Sequence, residues 1–332
     1  MNKEAKELRR RIKESKNILI ITHKGTDFDG FCSSLILKEY INTYYPRKNV
    51  VFKSRQMPTQ NIPHMEEITI VESIYPEKED LIIITDAGSM KMCVTPSDTI
   101  QNSSAKLIII DHHDTVSDES DLTINNNMSS ATEQVLTLIE AMEGRRFRIT
   151  KEISILGQIG IITDTNRFLN ENTTPLAHEW MAKLKRVFNF DVEKFTYKNS
   201  KFPFGTLVPL RIYLSNMHVE KDLTYSYISR EDIENEDITK VTVNAAHRFV
   251  RDEILRYIHG VHWGFVIKPS LVNDKLWQVS FRSTKGYQKV DKIAEALGGG
   301  GHEYASAARI EGNSLEEVLN TILTEVRKNL SS

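Results

Sequence analysis

Three short stretches of this chain place aspartate and histidine together at the end of an apolar run, a combination suited to holding divalent cations. They are Thr22-His23-Lys24-Gly25-Thr26-Asp27-Phe28-Asp29-Gly30, Thr85-Asp86-Ala87-Gly88 and Asp111-His112-His113, and a further acid, Asp164, lies downstream. A mixed imidazole and carboxylate set suits Mn²⁺ better than Mg²⁺, which prefers oxygen ligands, or structural Zn²⁺, which is often held by thiolates. Two such ions about 3.5–4 Å apart, held and bridged by carboxylates, meet the needs of phosphate-ester hydrolysis at neutral pH. Those needs are an activated water and stabilisation of charge on the phosphoryl oxygens. Any one of these residues alone is more simply a helix cap or a satisfied polar side chain. Three repeats of one context are hard to obtain from solvation.

The elements that must position them follow from the pattern around them. Ile18–Ile21, Leu81–Ile84 and Leu107–Ile110 read as parallel strands buried on both faces. In an open α/β sheet the ligand crevice lies outside the carboxyl ends of the strands, so the clusters are expected to converge. Strands are expected at 17–22, 50–54, 81–86 and 106–111, and helices at 30–45, 131–144, 152–163 and 175–187. This gives an α/β unit with a parallel sheet flanked by helices. Residues 3–16 read as an exposed charged helix, with Arg9-Arg10-Arg11 as a solvated face rather than a nucleic-acid contact. Composition changes after residue 188, and 189–215, rich in aromatics, Lys and Asn, reads as a connector. Beyond it, strands at 223–229, 263–268, 277–282 and 305–310 mix with helices at 245–258, 289–297 and 315–329. The expected organisation is a catalytic domain at 1–188, the connector at 189–215 and a smaller α/β domain at 216–332. A cleft is expected between the two domains, since domain interfaces favour substrate sites.

Composition narrows the class. A chain of 332 residues with 40% hydrophobic and 27% charged residues can build two ordinary globular cores. Its net charge of −2 argues against a general polyanion binder. Cys32 and Cys93 are the only cysteines, so no disulfide framework is expected, in keeping with the reducing cytoplasm. The apolar run near the N-terminus is too short for a signal peptide or membrane span, and no membrane partner is expected.

The motifs His23-x-x-x-Asp27-x-Asp29, Asp86, Asp111-His112-His113 and Gly160-Ile161-Ile162-Thr163-Asp164, in that order, resemble the DHH family of phosphoesterases. Gly298-Gly299-Gly300-Gly301-His302 resembles the glycine-rich end of that family's DHHA1 domain, so the resemblance runs over roughly residues 17 to 310. The resemblance implies two divalent metal ions, most suitably Mn. His23 and Asp27 would hold one; Asp29, His112 and Asp164 would hold the other; and Asp86 would bridge them. Asp111 would orient a ligating histidine and His113 would contact a phosphoryl oxygen. Arg282, Ser283, Gly299, Gly300, Gly301 and His302 would bind substrate phosphate, the glycines by letting backbone N–H groups approach it. Arg167 and Phe168, directly after Asp164, are weaker additions that could touch a phosphate and stack on a base. Thr26, Cys32, Tyr304, Ser306 and Ala307 depart from the family pattern without removing a ligand.

Within the family, the compact two-domain form resembles the group that degrades very short RNAs or dephosphorylates 3′-phosphoadenosine 5′-phosphate. The implied substrates are short single-stranded RNA or DNA, linear dinucleotides or a mononucleotide bisphosphate. The readings in competition are a cyclic-dinucleotide phosphodiesterase, a polyphosphate hydrolase and a non-catalytic nucleotide sensor on the same fold. A homodimer is left open.

Overall fold

The computed structural model describes residues 2–74, 78–93, 104–113 and 120–330. The chain forms two compact units, Met1–Ser200 and Lys201–Ser332.

Six strands build the first unit's sheet: β1 (Asn17–Ile21), β2 (Asn49–Ser54), β3 (Ile68–Ile70), β4 (Leu81–Thr85), β5 (Lys106–Ile110) and β6 (Leu122–Ile124). Their order is β3-β2-β1-β4-β5-β6 and every pairing is parallel. Successive residues point to opposite faces. Ile18, Ile20, Leu81, Ile83, Ile108 and Ile110 pack against helices, while Leu19, Ile21, Ile82, Ile84 and Ile109 pack against Ile74, Met90 and Cys93. The order reverses between β1 and β4, the switch point at which an open sheet of this kind leaves a crevice.

Around the sheet lie the helices Phe28–Tyr44, Ala131–Glu143, Lys151–Asp164 and Pro175–Val187, the last three capped by Ser130, Thr150 and Thr174. The first of these is buried nearly all round, so its sequence carries no amphipathic stripe. The N-terminal helix Asn2–Glu14 is not the free-standing exposed helix expected from its charge, because Ala5, Leu8 and Ile12 bury a stripe in the core. Its arginines are committed to acids: Arg9 to Glu143 at 3.3 Å, Arg10 to Glu14 at 2.6 Å and Arg11 to Glu7 at 2.8 Å.

The second unit holds β7 (His218–Glu220), β8 (Leu223–Tyr227), β9 (Trp263–Pro269), β10 (Leu276–Ser283), β11 (Gly300–His302) and β12 (Ala305–Glu311), ordered β11-β12-β10-β9-β8-β7. All pairs are antiparallel except β8 with β9. Helices Val290–Ala296 and Leu315–Leu330 cover the face carrying Trp277, Val279 and Phe281. Helix Lys240–Glu253 lies with the opposite face, where Val243, Ala246 and Val250 meet Val266. That helix was expected at 245–258. It starts earlier because the Thr239 side chain accepts the Thr242 N–H and caps it. The segment expected as a connector is mostly helical: Val192–Ser200 falls in the first unit and Leu207–Ser215 in the second.

Candidate active site

At the carboxyl ends of β1, β4 and β5 the three sequence clusters come together with Asp164, the last residue of helix Lys151–Asp164. One group is His23, Asp27 and Asp86; a second is Asp29, His112 and Asp164. Asp86 stands between them. Its Oδ2 lies 3.4 Å from His23 Nε2 and its Oδ1 lies 3.5 Å from His112 Nε2. His23 Nε2 is also 3.9 Å from Asp27 Oδ1, and His112 Nε2 lies 3.9 Å from Asp29 Oδ2 and 3.5 Å from Asp164 Oδ2.

Local backbone features explain this convergence. Asp27 caps helix Phe28–Tyr44, its Oδ1 accepting the N–H groups of Asp29 and Gly30 at 3.0 and 3.1 Å. Asp29, one residue into the helix, is buried, and its two oxygens accept the N–H groups of Ala131 and Thr132 at 2.6 and 2.9 Å. Those donors open helix Ala131–Glu143, whose positive end favours a carboxylate. Gly30 is required where it stands: a Cβ there would lie 2.6 Å from Thr22 Oγ1 and 3.1 Å from Asp86 Oδ2. Asp86 itself takes a left-handed backbone with φ of 57°, uncommon for a residue with a side chain and most tolerable for Asp or Asn. Thr26, where the family pattern differs, closes the loop by donating its hydroxyl to the His23 carbonyl at 2.8 Å.

Electrostatics match a cation site. Burial opposes charge on His23, yet the neighbouring carboxylates of Asp27 and Asp86 push its pKa up to about 10. His112 is likewise pushed up to about 10, with Asp86, Asp29 and Asp164 outweighing burial. Burial, then repulsion from Asp86 and Asp27 against attraction from His112, pushes Asp164 up to about 7. Asp29 is driven well above the usual carboxylate range by burial and by Asp86 and Asp164. A divalent cation would displace the protons these groups hold, since ligating imidazoles and carboxylates bind deprotonated. The fit has a direct structural sign. His112 Nε2 is buried without a hydrogen-bond partner among the described residues, in a space faced by three carboxylates at distances too long for hydrogen bonds. The donor set therefore fits a pair of divalent ions sharing Asp86. Neither cysteine takes part; both are buried, and burial then the Asp29 and Asp27 charges raise the Cys32 thiol well above its usual range.

Several expected roles change. Asp111 was expected to orient a ligating histidine, but its Oδ1 bonds His113 Nδ1 at 2.8 Å. This bond, more than the opposing burial, raises the His113 pKa. Phe168 is not presented to a base; it stacks on His178 with ring centroids 4.4 Å apart and packs against the core. Asn166, Arg167 and Phe168 are three successive left-handed residues, and Arg167 is exposed. In the second unit, Arg282 is held by Asp252, Nε to Oδ1 at 3.1 Å. Ser283, expected at the substrate, is buried, and its N–H donates to the Tyr304 carbonyl. Gly299 is also spent on the fold: its N–H donates to Ala294 O, and a Cβ there would lie 2.1 Å from Ala307 O. A Cβ on Gly300 meets nothing within 4 Å, whereas Gly301 has φ of 143° and packs on β12. His302 is exposed on β11.

Residues missed at first include Asp252, Ser130 and Gly30. Ser130-x-x-Glu133 was a readable cap signal, because such caps mark helix starts that bind anions. His64, given no role, groups with Glu66 and Glu67. Its ring nitrogens are committed to Glu39 at 3.2 Å and Glu67 at 2.8 Å, an ion-pair cluster rather than a vacant ligand set.

Residues 17–161 match the N-terminal domain of the DHH family and residues 225–330 match the DHHA1 domain, so the chain belongs to the DHH family and is a hydrolytic phosphoesterase. It is similar along its length to the bifunctional oligoribonuclease and PAP phosphatase NrnA of Bacillus subtilis, with 25% identity over 315 residues and 92% of each chain covered. An uncharacterized protein, MG371, of Mycoplasma genitalium is 24% identical over 343 aligned residues, covering 98% of this chain and 97% of that one. In fold it matches the crystal structure of an exopolyphosphatase-related protein from Bacteroides fragilis, with a TM-score of 0.84, 22% identity and coverage of 99% and 96%. Among the described residues, no helix is long and apolar enough to cross a membrane.

Proposed function

We propose that this chain is a cytoplasmic phosphoesterase that uses two divalent metal ions, Mn²⁺ by preference, to hydrolyse very short oligonucleotides and 3′-phosphoadenosine 5′-phosphate. The observation that carries this reading is Asp86, whose two oxygens address two different histidines, as a bridging ligand must. His23, Asp27 and Asp86 would hold one ion, and Asp29, Asp86, His112 and Asp164 the other. Bound there, the ions supply Lewis acidity toward the phosphoryl oxygens and an activated water. His113, held by Asp111, which favours its protonated form, donates to a phosphoryl oxygen and moderates its developing charge. Arg282, its guanidinium fixed by Asp252, binds a terminal phosphate together with His302.

Preference for short substrates draws on the similarity to the Bacillus subtilis oligoribonuclease and on the near-neutral net charge, which leaves little attraction for a long polyanion. A time course with a dinucleotide, a pentanucleotide and a twenty-four-mer, all end-labelled, tests it beside 3′-phosphoadenosine 5′-phosphate, cyclic di-AMP and pyrophosphate. The two shortest RNAs should be cleaved fastest, with little dependence on base identity. Processive degradation of the twenty-four-mer at the dinucleotide rate, or turnover of pyrophosphate alone, overturns the assignment.

A further inference from the structure

The second unit carries another concentration of positive charge, away from Arg282 and His302. Lys268 on β9, Gln278 on β10 and Arg309 on β12 are direct cross-strand neighbours, so their side chains leave one face of the sheet together. Lys240 and Asn244, one turn apart on the helix over this face, join them around a concavity of about 340 Å³. That is within the range of small-ligand sites. No residue lining it is acidic. Lys240 and Arg309 have no ion pair or hydrogen bond among the described residues, and half-buried Lys268 reaches only Asn244 Oδ1. Burial, then the charges of Arg251 and Lys240, disfavours the protonated form of Lys268, a stress that a bound anion relieves.

The rest of the rim has a different character. The hairpin tip Leu271 and Val272 also lines the concavity, Val272 being 82% exposed. A phosphate-sized basic floor beside an apolar rim matches the two halves of a nucleotide. Arg282 lies on the same face four residues further along β10, about 13 Å at the usual strand rise. Between them Ser280 is buried and bonded to His247, so the concavity is separate from the phosphate contacts assigned above.

We infer that this concavity is a second, non-catalytic site for a phosphorylated nucleotide, with phosphate held by Lys240, Lys268 and Arg309 and base or sugar against Leu271 and Val272. The nucleotide could be free or the end of a strand, and two probes separate these sources. Calorimetry on the full chain in chelator would titrate AMP and a 5′-phosphorylated pentanucleotide. AMP binding should persist in Arg282→Ala and weaken at least tenfold in Arg309→Glu and in Lys268→Ala. Arg309 is exposed, so its variant should fold normally. Weakening confined to the pentanucleotide would identify a strand end as the ligand. Binding of both probes unchanged in Arg309→Glu, binding lost in Arg282→Ala, or binding of neither probe overturns the inference. Its failure is distinct from failure of the hydrolytic reading, because binding here should survive Asp86→Asn while hydrolysis should not.

Discussion

In the first unit the candidate ligands gather at the carboxyl ends of parallel strands and come from positions as distant as His23 and Asp164; in the second, Arg282, Gln278 and Lys268 stand on one face of two strands that pair antiparallel. The parallel sheet gathers chain-distant residues at one edge because each β–α crossover returns the chain to the same end. The antiparallel sheet instead sets out rows, because cross-strand partners share a face. Ligands that must surround an ion come from the first arrangement. Donors that must line up along a surface come from the second.

Changes at the two places should differ in kind. The largest effect belongs to Asp86→Asn. Loss of a carboxylate shared by both ligand groups should lower kcat by more than about a thousandfold, well beyond the ~10–100-fold typical of residues supporting metal ligands. The melting temperature should hold, because Asn accepts the left-handed backbone. Near-native turnover by that variant with Mn²⁺ present would remove the bridging role and with it the contrast between the sheets.

Next comes Arg282→Ala, which removes a charge-assisted contact worth about 1.5–3 kcal/mol. KM should rise by roughly 10–150-fold with kcat changed far less, as expected when binding is shared by ground and transition states. An unchanged KM on every phosphorylated substrate would dismiss Arg282 from the site.

The smallest effect concerns pH and the second unit's interior. His247 is buried between the Tyr213 hydroxyl and Ser280 Oγ, and burial, then Lys268, Arg251 and Arg282, holds its pKa well below the usual range. The unfolded chain takes up a proton below about pH 6.5 that the folded imidazole refuses. Stability from this group is therefore complete above that pH and is lost on acidification, by at most about 1.4 kcal/mol per pH unit. Urea unfolding followed by tryptophan fluorescence at pH 7.5 and 5.5 should show this slope, and His247→Gln should flatten it. Equal slopes in both proteins would place the acid sensitivity elsewhere.

What the sequence disclosed follows from the same contrast. Buried parallel strands read as unbroken runs of Ile and Leu, so β1, β4 and β5 and the residues after them were legible. The short strands β3, β6, β7 and β11 were not, since three residues carry no period. The four glycines marked a special backbone, but whether each serves the ligand or the fold depends on distances to β12 that no spacing reveals. Asp111 failed for a similar reason: which histidine it holds is decided by side-chain direction, not by adjacency.

The left-handed backbone at Asp86 bears on how this protein can change over generations. Of the residues that tolerate such a φ, Asn and Gly are each one nucleotide away from an aspartate codon, and neither can bridge two cations. The commonest conformationally neutral replacements at this position are thus also chemically silent. On the function proposed above, a descendant could lose hydrolysis here in one mutational step while keeping its fold and its phosphate-binding residues, the starting point for a protein that binds its former substrate and reports it.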